Sequence, residues 1–278
     1  MKKSASPIRR KHTVLRQMCE LIPAHLAPTL ARAHGIKTRV FSPWSHVVTM
    51  LYAHLTHAIG LNDVCDGLRN HRSVLATLRG AAAPSRNGLS HANKTRKADM
   101  AEELFWTVLR HLESVAPGFG GRNYRGFPRR FRRTIHVVDS TTITLVANCM
   151  SWAKHRRRKA AAKLHLRLDL QSFLPRFAIV DKAKDHDAGR AREVCAGLRD
   201  GEIVVFDKAY GDFGHLAELL GRGVIWVIRP RDNLSVRCVK RRIKRPQGNI
   251  VRDDEVVLVG FQSHRKYPNR FRRVIAWV

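Results

Sequence analysis

The sequence predicts an α/β chain, α+β overall, in which a helical region precedes a mixed sheet with helices packed on it. Apolar residues recur every three or four positions up to about residue 115, and short β-type apolar runs begin at residue 134. A segment rich in proline and glycine, 117–121, separates the two patterns. We therefore expect a helical domain over residues 1–120, a mixed-sheet domain over 121–230 and a β-rich segment over 231–278.

Capping residues and apolar spacing predict the helices of the first region. Ser42 followed by Pro43 is typical of a helix start, because serine accepts a bond from a free backbone N–H and proline fits the first turn. Apolar residues then follow at helical spacing as far as Ile59. We expect this basic region to dock on DNA. The further helices expected here cover residues 61–68 and 73–78 and a segment that Ser90 caps and that includes residues 104–112.

The second region is predicted to alternate short strands with two helices in the order β-β-β-α-β-α-β. Such an order is typical of a mixed sheet with helices on its faces. The expected strands cover residues 134–139, 163–170, 177–181, 203–207 and 224–228, with helices at 188–198 and 213–220 and further strands at 236–239, 255–260 and 274–278.

The composition points to a polyanionic partner. The chain has 52 Lys and Arg against 22 Asp and Glu, a formal net charge of +30, and a field of that strength favours nucleic acid. An anionic membrane surface is the weaker alternative. Five widely spaced cysteines form no zinc-ligand pattern. With no signal peptide or apolar run of about eighteen residues, we expect no membrane span and a cytoplasmic, nucleoid-associated protein.

Two of the predicted strands end in an aspartate, Asp139 and Asp207. If these strands are neighbours, both carboxylates lie at the same edge of the sheet. Carboxylate oxygens are ligands that Mg²⁺ prefers, and two ions about 3.5–4 Å apart can activate an attacking oxygen and stabilise a leaving one on phosphate. The pair therefore predicts a metal site. The alternative is that each aspartate is a solvated strand end.

Basic and polar residues around this pair are the candidates for DNA contact. Lys163 and His165 share one face of the second strand, and Tyr210 either packs beneath the site or touches the DNA backbone. The alternative for Lys163 and His165 is a solvent-facing polar row, and the alternative for the basic runs is a solvated face. The predicted DNA-contacting residues are Arg129, Arg130, Arg132, Arg133, Lys154, Arg156, Arg157, Arg158, Lys159, Lys163, Lys208 and Tyr210.

Several short motifs occur in one order along the chain. They are Asp139-Ser-Thr-Thr-Ile, Trp152-Ala, Lys163-Leu-His165, Leu174-Pro, His186-Asp187, Val204-Val-Phe-Asp207-Lys-Ala-Tyr210 and Val227-Ile-Arg229. In this order the chain resembles the DDE transposases of bacterial insertion sequences, in the group named for insertion sequence 4. The N-terminal 110 residues are similar to the helical domain of one branch of that group.

The resemblance implies an RNase H-like catalytic fold with Asp139 and Asp207 as the first two acids of the triad. It also implies a two-metal site for Mg²⁺ or Mn²⁺, double-stranded DNA as the partner, a homodimer on paired DNA ends, and a β-rich insertion that residues 231–278 resemble. The family often has Arg-Gly where this chain has Lys208-Ala209.

The third acid of the family lies in a Tyr-x-x-Arg-x-x-x-Glu motif, which this sequence lacks. The last acidic residues, Asp253, Asp254 and Glu255, fall in the expected insertion. We therefore expect a copy that is incomplete at its C-terminus. The alternatives to a DNA-cleaving transposase are a non-catalytic DNA-binding remnant that represses a full-length enzyme and, more distantly, an RNA-binding protein.

Overall fold

The computed structural model describes residues 13–37, 40–116, 118–120, 130–145, 154–155, 159–182 and 187–277. The chain divides into two compact units, residues 1–119 and 120–278, and each has its own hydrophobic core. The first is helical in its described part, and the second combines helices with two sheets. The predicted α+β fold is confirmed.

The first unit is built from helices whose apolar faces meet in one core. Trp44 fills part of this core, and its indole N–H donates to the Leu78 carbonyl oxygen at 2.8 Å. The described helices are α1 (Val14–Glu20), α2 (Leu26–Ala33), α3 (Pro43–Leu55), α4 (Leu61–Asn70), α5 (Arg72–Ala76), α6 (Arg86–Thr95) and α7 (Ala98–Val115).

Of the two predicted helix caps, one is confirmed and one is wrong. The Ser42 hydroxyl accepts from the Ser45 N–H at the start of α3, and proline occupies the first turn. Ser90, in contrast, lies inside α6, and Ser85 is the residue that caps this helix by accepting from the Gly88 N–H. The sequence Asn87-Gly88 resembles a turn, but here it forms the first turn of a helix.

In the residues that the structure describes, the second unit contains a mixed sheet of six strands. The strands are β1 (Ile135–Leu145), β2 (Lys154–His155), β3 (Lys159–Asp169), β4 (Pro175–Lys182), β5 (Ile203–Phe206) and β6 (Ile225–Ile228), with helices α8 (Asp187–Val194) and α9 (Phe213–Gly221). Strand β3 pairs antiparallel with β1 along one edge and with β4 and the short β2 along the other, while β1, β5 and β6 run parallel in that order. This arrangement confirms the RNase H-like mixed sheet.

One face of this sheet forms the core of the second unit. Val138, Val204 and Phe206 are buried in a cluster with residues of α8 and α9, including Val194 and Leu219. Because successive side chains of a strand point to opposite faces, the residues between them point away from this core. The position of each residue relative to Val138 and Phe206 therefore decides which face it occupies.

A smaller antiparallel sheet completes the second unit. Its strands, in the order β7-β8-β9, are β7 (Val236–Arg241), β8 (Ile250–Leu258) and β9 (Phe271–Ala276), and helix α10 (Phe261–Lys266) lies between the last two. Trp226 of the mixed sheet packs against Tyr267 and Phe271, with ring centroids 5.8 and 5.9 Å away. The segment is β-rich, as predicted, and it shares its core with the mixed sheet.

Candidate functional site

The strand register brings Asp139 and Asp207 side by side. Strands β1 and β5 pair in parallel from Ile135 opposite Ile203 to Val138 opposite Phe206. Asp139 and Asp207 are the next residue of each strand. Neighbouring strands lie about 4.8 Å apart, so the two aspartates occupy adjacent positions at the same level of the sheet.

The backbone continues differently after each of the two aspartates. Asp207 directly follows β5 and begins a short 3₁₀ helix, Lys208–Tyr210. The expectation that Asp139 ends its strand is wrong, because β1 runs on to Leu145. The reason is the pairing with β3, which continues to Leu145 opposite Ala160 after the contact with β5 has stopped. Asp139 is therefore the first residue of β1 beyond the β1–β5 pairing.

Both carboxylates lie on the face that points away from α8 and α9. Asp139 and Asp207 are exposed, whereas Val138 and Phe206 before them are buried in the core. The Asp139 Oδ1 accepts from the Ser140 N–H at 2.7 Å. Among the described residues neither carboxylate forms an ion pair, in contrast to Asp181, which is paired with Arg190. Two exposed, uncompensated carboxylates remain available as ligands.

Lys163 and His165 do share a strand face, but it is the face opposite to Asp139. Asp139 lies across from Leu166 in the β1–β3 register, and Ser140 lies across from His165. The Lys163 Nζ is 3.1 Å from the Asp187 Oδ1, and both side chains are largely buried. The prediction that Lys163 lines the carboxylate side and contacts phosphate does not fit this position.

Tyr210 is 1% exposed, and its hydroxyl is 2.8 Å from the Nδ1 of the fully buried His165. Burial raises the pKa of Tyr210 and lowers that of His165, so both side chains are neutral at pH 7. The predicted contact of Tyr210 with the DNA backbone does not fit a side chain in the interior. Its position agrees with the alternative, packing beneath the site.

An open cleft of about 420 Å³ lies beside Asp207. The Arg231 Nη2 donates to the Gly211 carbonyl oxygen at 3.2 Å, which fixes the guanidinium at the wall of the cleft. The Lys208 Nζ is 3.7 Å from the Asp232 carboxylate. Arg231 was not among the residues predicted from the sequence. It follows closely after β6, which runs parallel to β5, so it could have been expected at the same edge of the sheet as Asp207. The cleft is lined by Asp207, Lys208, Ala209, Arg231, Asp232 and Asn233.

The other predicted DNA-contacting residues are only partly described. Arg130, Arg132 and Arg133 are exposed, and Arg133 donates to the Gly201 carbonyl oxygen at 3.2 Å. Lys154 and Lys159 lie in β2 and β3, and their side chains fall outside the described part. Their contact with DNA stays a prediction. The predicted residues that lie outside the described ranges are Arg129, Arg156, Arg157 and Arg158.

The acidic residues of β8 do not add a third metal ligand to Asp139 and Asp207. Asp253, Asp254 and Glu255 are held in ion pairs by Arg272, Arg273 and Arg242 respectively, at 2.6 to 3.2 Å. Within the part of the chain that the structure describes, no group of three or more His, Cys, Asp and Glu side chains is placed to hold a metal ion. The candidate metal centre consists there of two carboxylates. No described helix is long and apolar enough to cross a membrane.

Comparison with known proteins gives two family matches. The model of the transposase DDE domain matches residues 130–271, which include both aspartates and just over half of the chain. The model of a domain of unknown function, DUF4372, matches residues 10–78 in the helical unit.

Two curated relatives are similar over part of their length. A protein of Sinorhizobium fredii named as transposase y4zB is 28% identical over 195 residues, 69% of this chain and 51% of that protein. A protein of Geobacillus stearothermophilus, named as a transposase for insertion sequence element IS5377, is 26% identical over 153 residues, 55% of this chain and 40% of that protein. The chain thus spans about half the length of these relatives.

The chain is also similar to a solved structure, that of the piggyBac transposase in a synaptic complex with hairpin DNA. It is 11% identical, with a TM-score of 0.39, and the match covers 87% of this chain and 58% of that chain.

Proposed function

The chain belongs to the DDE transposase family, and we propose that it acts in DNA transposition through a divalent-metal site at Asp139 and Asp207. In this reaction water would cut a phosphodiester bond at the element end. The freed 3′ hydroxyl would then attack a phosphodiester of the target DNA, forming a new phosphodiester bond and releasing a 3′ hydroxyl of the target. The observation that carries the proposal is the β1–β5 register, which sets two exposed carboxylates side by side. Neither forms an ion pair with another residue that the structure describes.

The carboxylates fit a hard divalent cation. Mg²⁺ takes oxygen ligands and is commonly held by one or two carboxylates together with waters and substrate phosphates. In this proposal Asp139 and Asp207 would hold the divalent metal of the site. A bound Mg²⁺ or Mn²⁺ would lower the pKa of an attacking oxygen and offset charge on the leaving one.

Cations beside the pair would hold the DNA backbone. Lys208 and Arg231 line the cleft next to Asp207, and a guanidinium can bind a phosphate through two N–H groups. The net charge of +30 favours binding along a longer stretch of duplex. If about eight phosphates are neutralised, the affinity should fall with salt at a log-log slope of about −7. By family resemblance, the DNA-bound form is a homodimer on paired ends.

The experiment is cleavage of duplex DNA carrying the element ends by the purified chain in Mg²⁺. We expect nicking at the ends by the wild type, loss of nicking in Asp139→Ala, and DNA affinity in that variant within about twofold of wild type. Asp254→Asn, which changes a carboxylate held by Arg273, is the matched control and should still nick. Nicking that persists in Asp139→Ala would overturn the assignment of the site.

A second candidate function is DNA binding without cleavage, in competition with a complete transposase. The observation that favours it is that the described residues bring two acids together and no third. Precise placement of every ligand governs catalysis of this kind. Tight, salt-dependent duplex binding without nicking would support this function. Preference for RNA over duplex DNA in a competition assay would overturn both candidates.

A further inference from the structure

Asp207 lies just beyond the last residue pair that joins β5 to β1. That pairing ends at Val138 opposite Phe206, so the described sheet pairing does not hold Asp207 directly. Its backbone instead enters the 3₁₀ helix, where the Tyr210 N–H donates to the Asp207 carbonyl oxygen at 3.1 Å. The orientation of Asp207 therefore depends on what fixes this short helix.

Tyr210 anchors the 3₁₀ helix in the core. Its ring stacks on Phe206 with centroids 6.4 Å apart and meets His165 edge to face at 6.0 Å. Its hydroxyl is 2.8 Å from the His165 Nδ1, and the two side chains are 1% and 0% exposed. Because this hydrogen bond is shielded from water, it is stronger than an exposed one and fixes the helix relative to β3.

The same pair reaches Asp139 from the other side. His165 lies across from Ser140 in the β1–β3 register. Burial raises the pKa of the Tyr210 hydroxyl, and the nearby Ser140 side chain opposes that rise. The Ser140 N–H in turn donates to the Asp139 carboxylate. A continuous series of contacts thus joins Asp139 to Asp207 through the interior.

A histidine at position 165 is not the side chain that stability alone would favour beside Tyr210. The Nε2 of His165 is buried and has no hydrogen-bond partner among the described residues, and a buried polar atom in this state lowers stability. An apolar side chain at this position would avoid that cost. A group retained at a cost in stability is typical of a functional site.

We propose that Tyr210 and His165 are positioning residues that set the separation and orientation of the Asp139 and Asp207 carboxylates, and so the metal affinity of the site. This inference rests on the proposed function, because it assumes that the two aspartates bind a divalent ion. Neither positioning residue touches the ion. Their action passes through the 3₁₀ helix on one side and Ser140 on the other.

The test is Mn²⁺ affinity of the full chain, measured by electron paramagnetic resonance on free Mn²⁺, together with thermal unfolding. Tyr210→Phe keeps the ring and removes the hydroxyl, and we expect about tenfold weaker Mn²⁺ binding, as for the loss of other groups that orient metal ligands. Tyr267→Phe is the matched control, since Tyr267 is an equally buried tyrosine that packs on Trp226. It should bind Mn²⁺ like the wild type.

A double-mutant cycle separates positioning from loss of stability. His165→Leu should weaken Mn²⁺ binding by about the same factor as Tyr210→Phe, and the double variant should be no weaker than either, because the two residues act as one unit. Wild-type Mn²⁺ affinity in Tyr210→Phe would overturn the inference. Equal weakening in Tyr267→Phe would also overturn it, since the cause would then be general loosening of the core.

The same measurement on Asp139→Asn distinguishes failure of this inference from failure of the proposed function. If Asp139→Asn loses Mn²⁺ binding and Tyr210→Phe does not, only the positioning role is refuted. If Asp139→Asn binds Mn²⁺ like the wild type, the metal site itself is refuted, and the positioning role with it.

Discussion

The second unit carries two groups of neighbouring carboxylates that the fold treats in opposite ways. Asp139 and Asp207 are exposed and form no ion pair among the described residues. Asp253 and Asp254 of β8 are 6% and 4% exposed and are each paired with an arginine of β9. The difference shows that proximity of acids along a chain does not make a metal site. Acids whose charge is already neutralised by arginine stabilise the fold, and uncompensated acids remain available to a ligand.

The cross-strand pairing in the small sheet explains the second group. Asp254 lies opposite Arg273 in the β8–β9 register, and opposite charges at such positions stabilise a sheet. The Arg272 guanidinium donates two hydrogen bonds to Asp253, and these bonds lower the pKa of that carboxyl. Replacing one group in each set should therefore change stability in opposite directions.

The largest effect is expected from Arg273→Met, which leaves the Asp254 carboxylate buried without its partner. Loss of one member of a partly buried ion pair should lower the free energy of unfolding of this unit by about 2 kcal/mol. Urea unfolding at pH 7 measures the change. Arg270→Met, at an exposed position of the same segment, is the control and should change stability by less than about 0.5 kcal/mol. An equal loss in both variants would contradict the pairing.

A smaller change of opposite sign is expected from Asp139→Asn in EDTA. Removing one of two adjacent negative charges relieves their repulsion, which is about 1 kcal/mol for fully solvated charges about 4 Å apart. The variant should therefore unfold at a slightly higher temperature than the wild type. Addition of Mn²⁺ should raise the unfolding temperature of the wild type and not that of the variant, since only the former binds the ion. Destabilisation in EDTA would show that Asp139 has a structural partner.

The smallest effect is the pH dependence of the Asp253–Arg272 pair. Arg272 lowers the pKa of Asp253 below its ordinary value of 3.8 in the folded state. Because the carboxyl therefore loses its proton more readily in the folded state than in the unfolded state, its ionisation stabilises the fold. The stabilisation is present above pH 3.8 and is lost as the pH falls through the lowered pKa. The unfolding temperatures of wild type and Arg272→Met should differ at pH 7 and converge once the pH has fallen through the lowered pKa of Asp253. A constant difference would contradict the linkage.

Sequence patterns predicted much of the fold because they report local physics. The change of apolar spacing near residue 117 separates the helical unit from the sheet unit, and Ser42-Pro43 correctly marks the start of α3. The short strand β2 and the extension of β1 to Leu145 escaped prediction. Both depend on pairing with β3, and a polar or basic segment gains strand structure there from a partner rather than from its own preference.

The sequence by itself determined the polycationic character, the succession of the longer strands and helices in the mixed-sheet region, and the two aspartates that follow apolar runs. Only the tertiary structure decided that the β1–β5 register sets those aspartates side by side, that Lys163 and Tyr210 point into the core behind them, and that Arg231 lines the adjacent cleft. The physical reason is that side-chain direction alternates along a strand. Which face meets the core is fixed by pairing and packing between segments far apart in the chain.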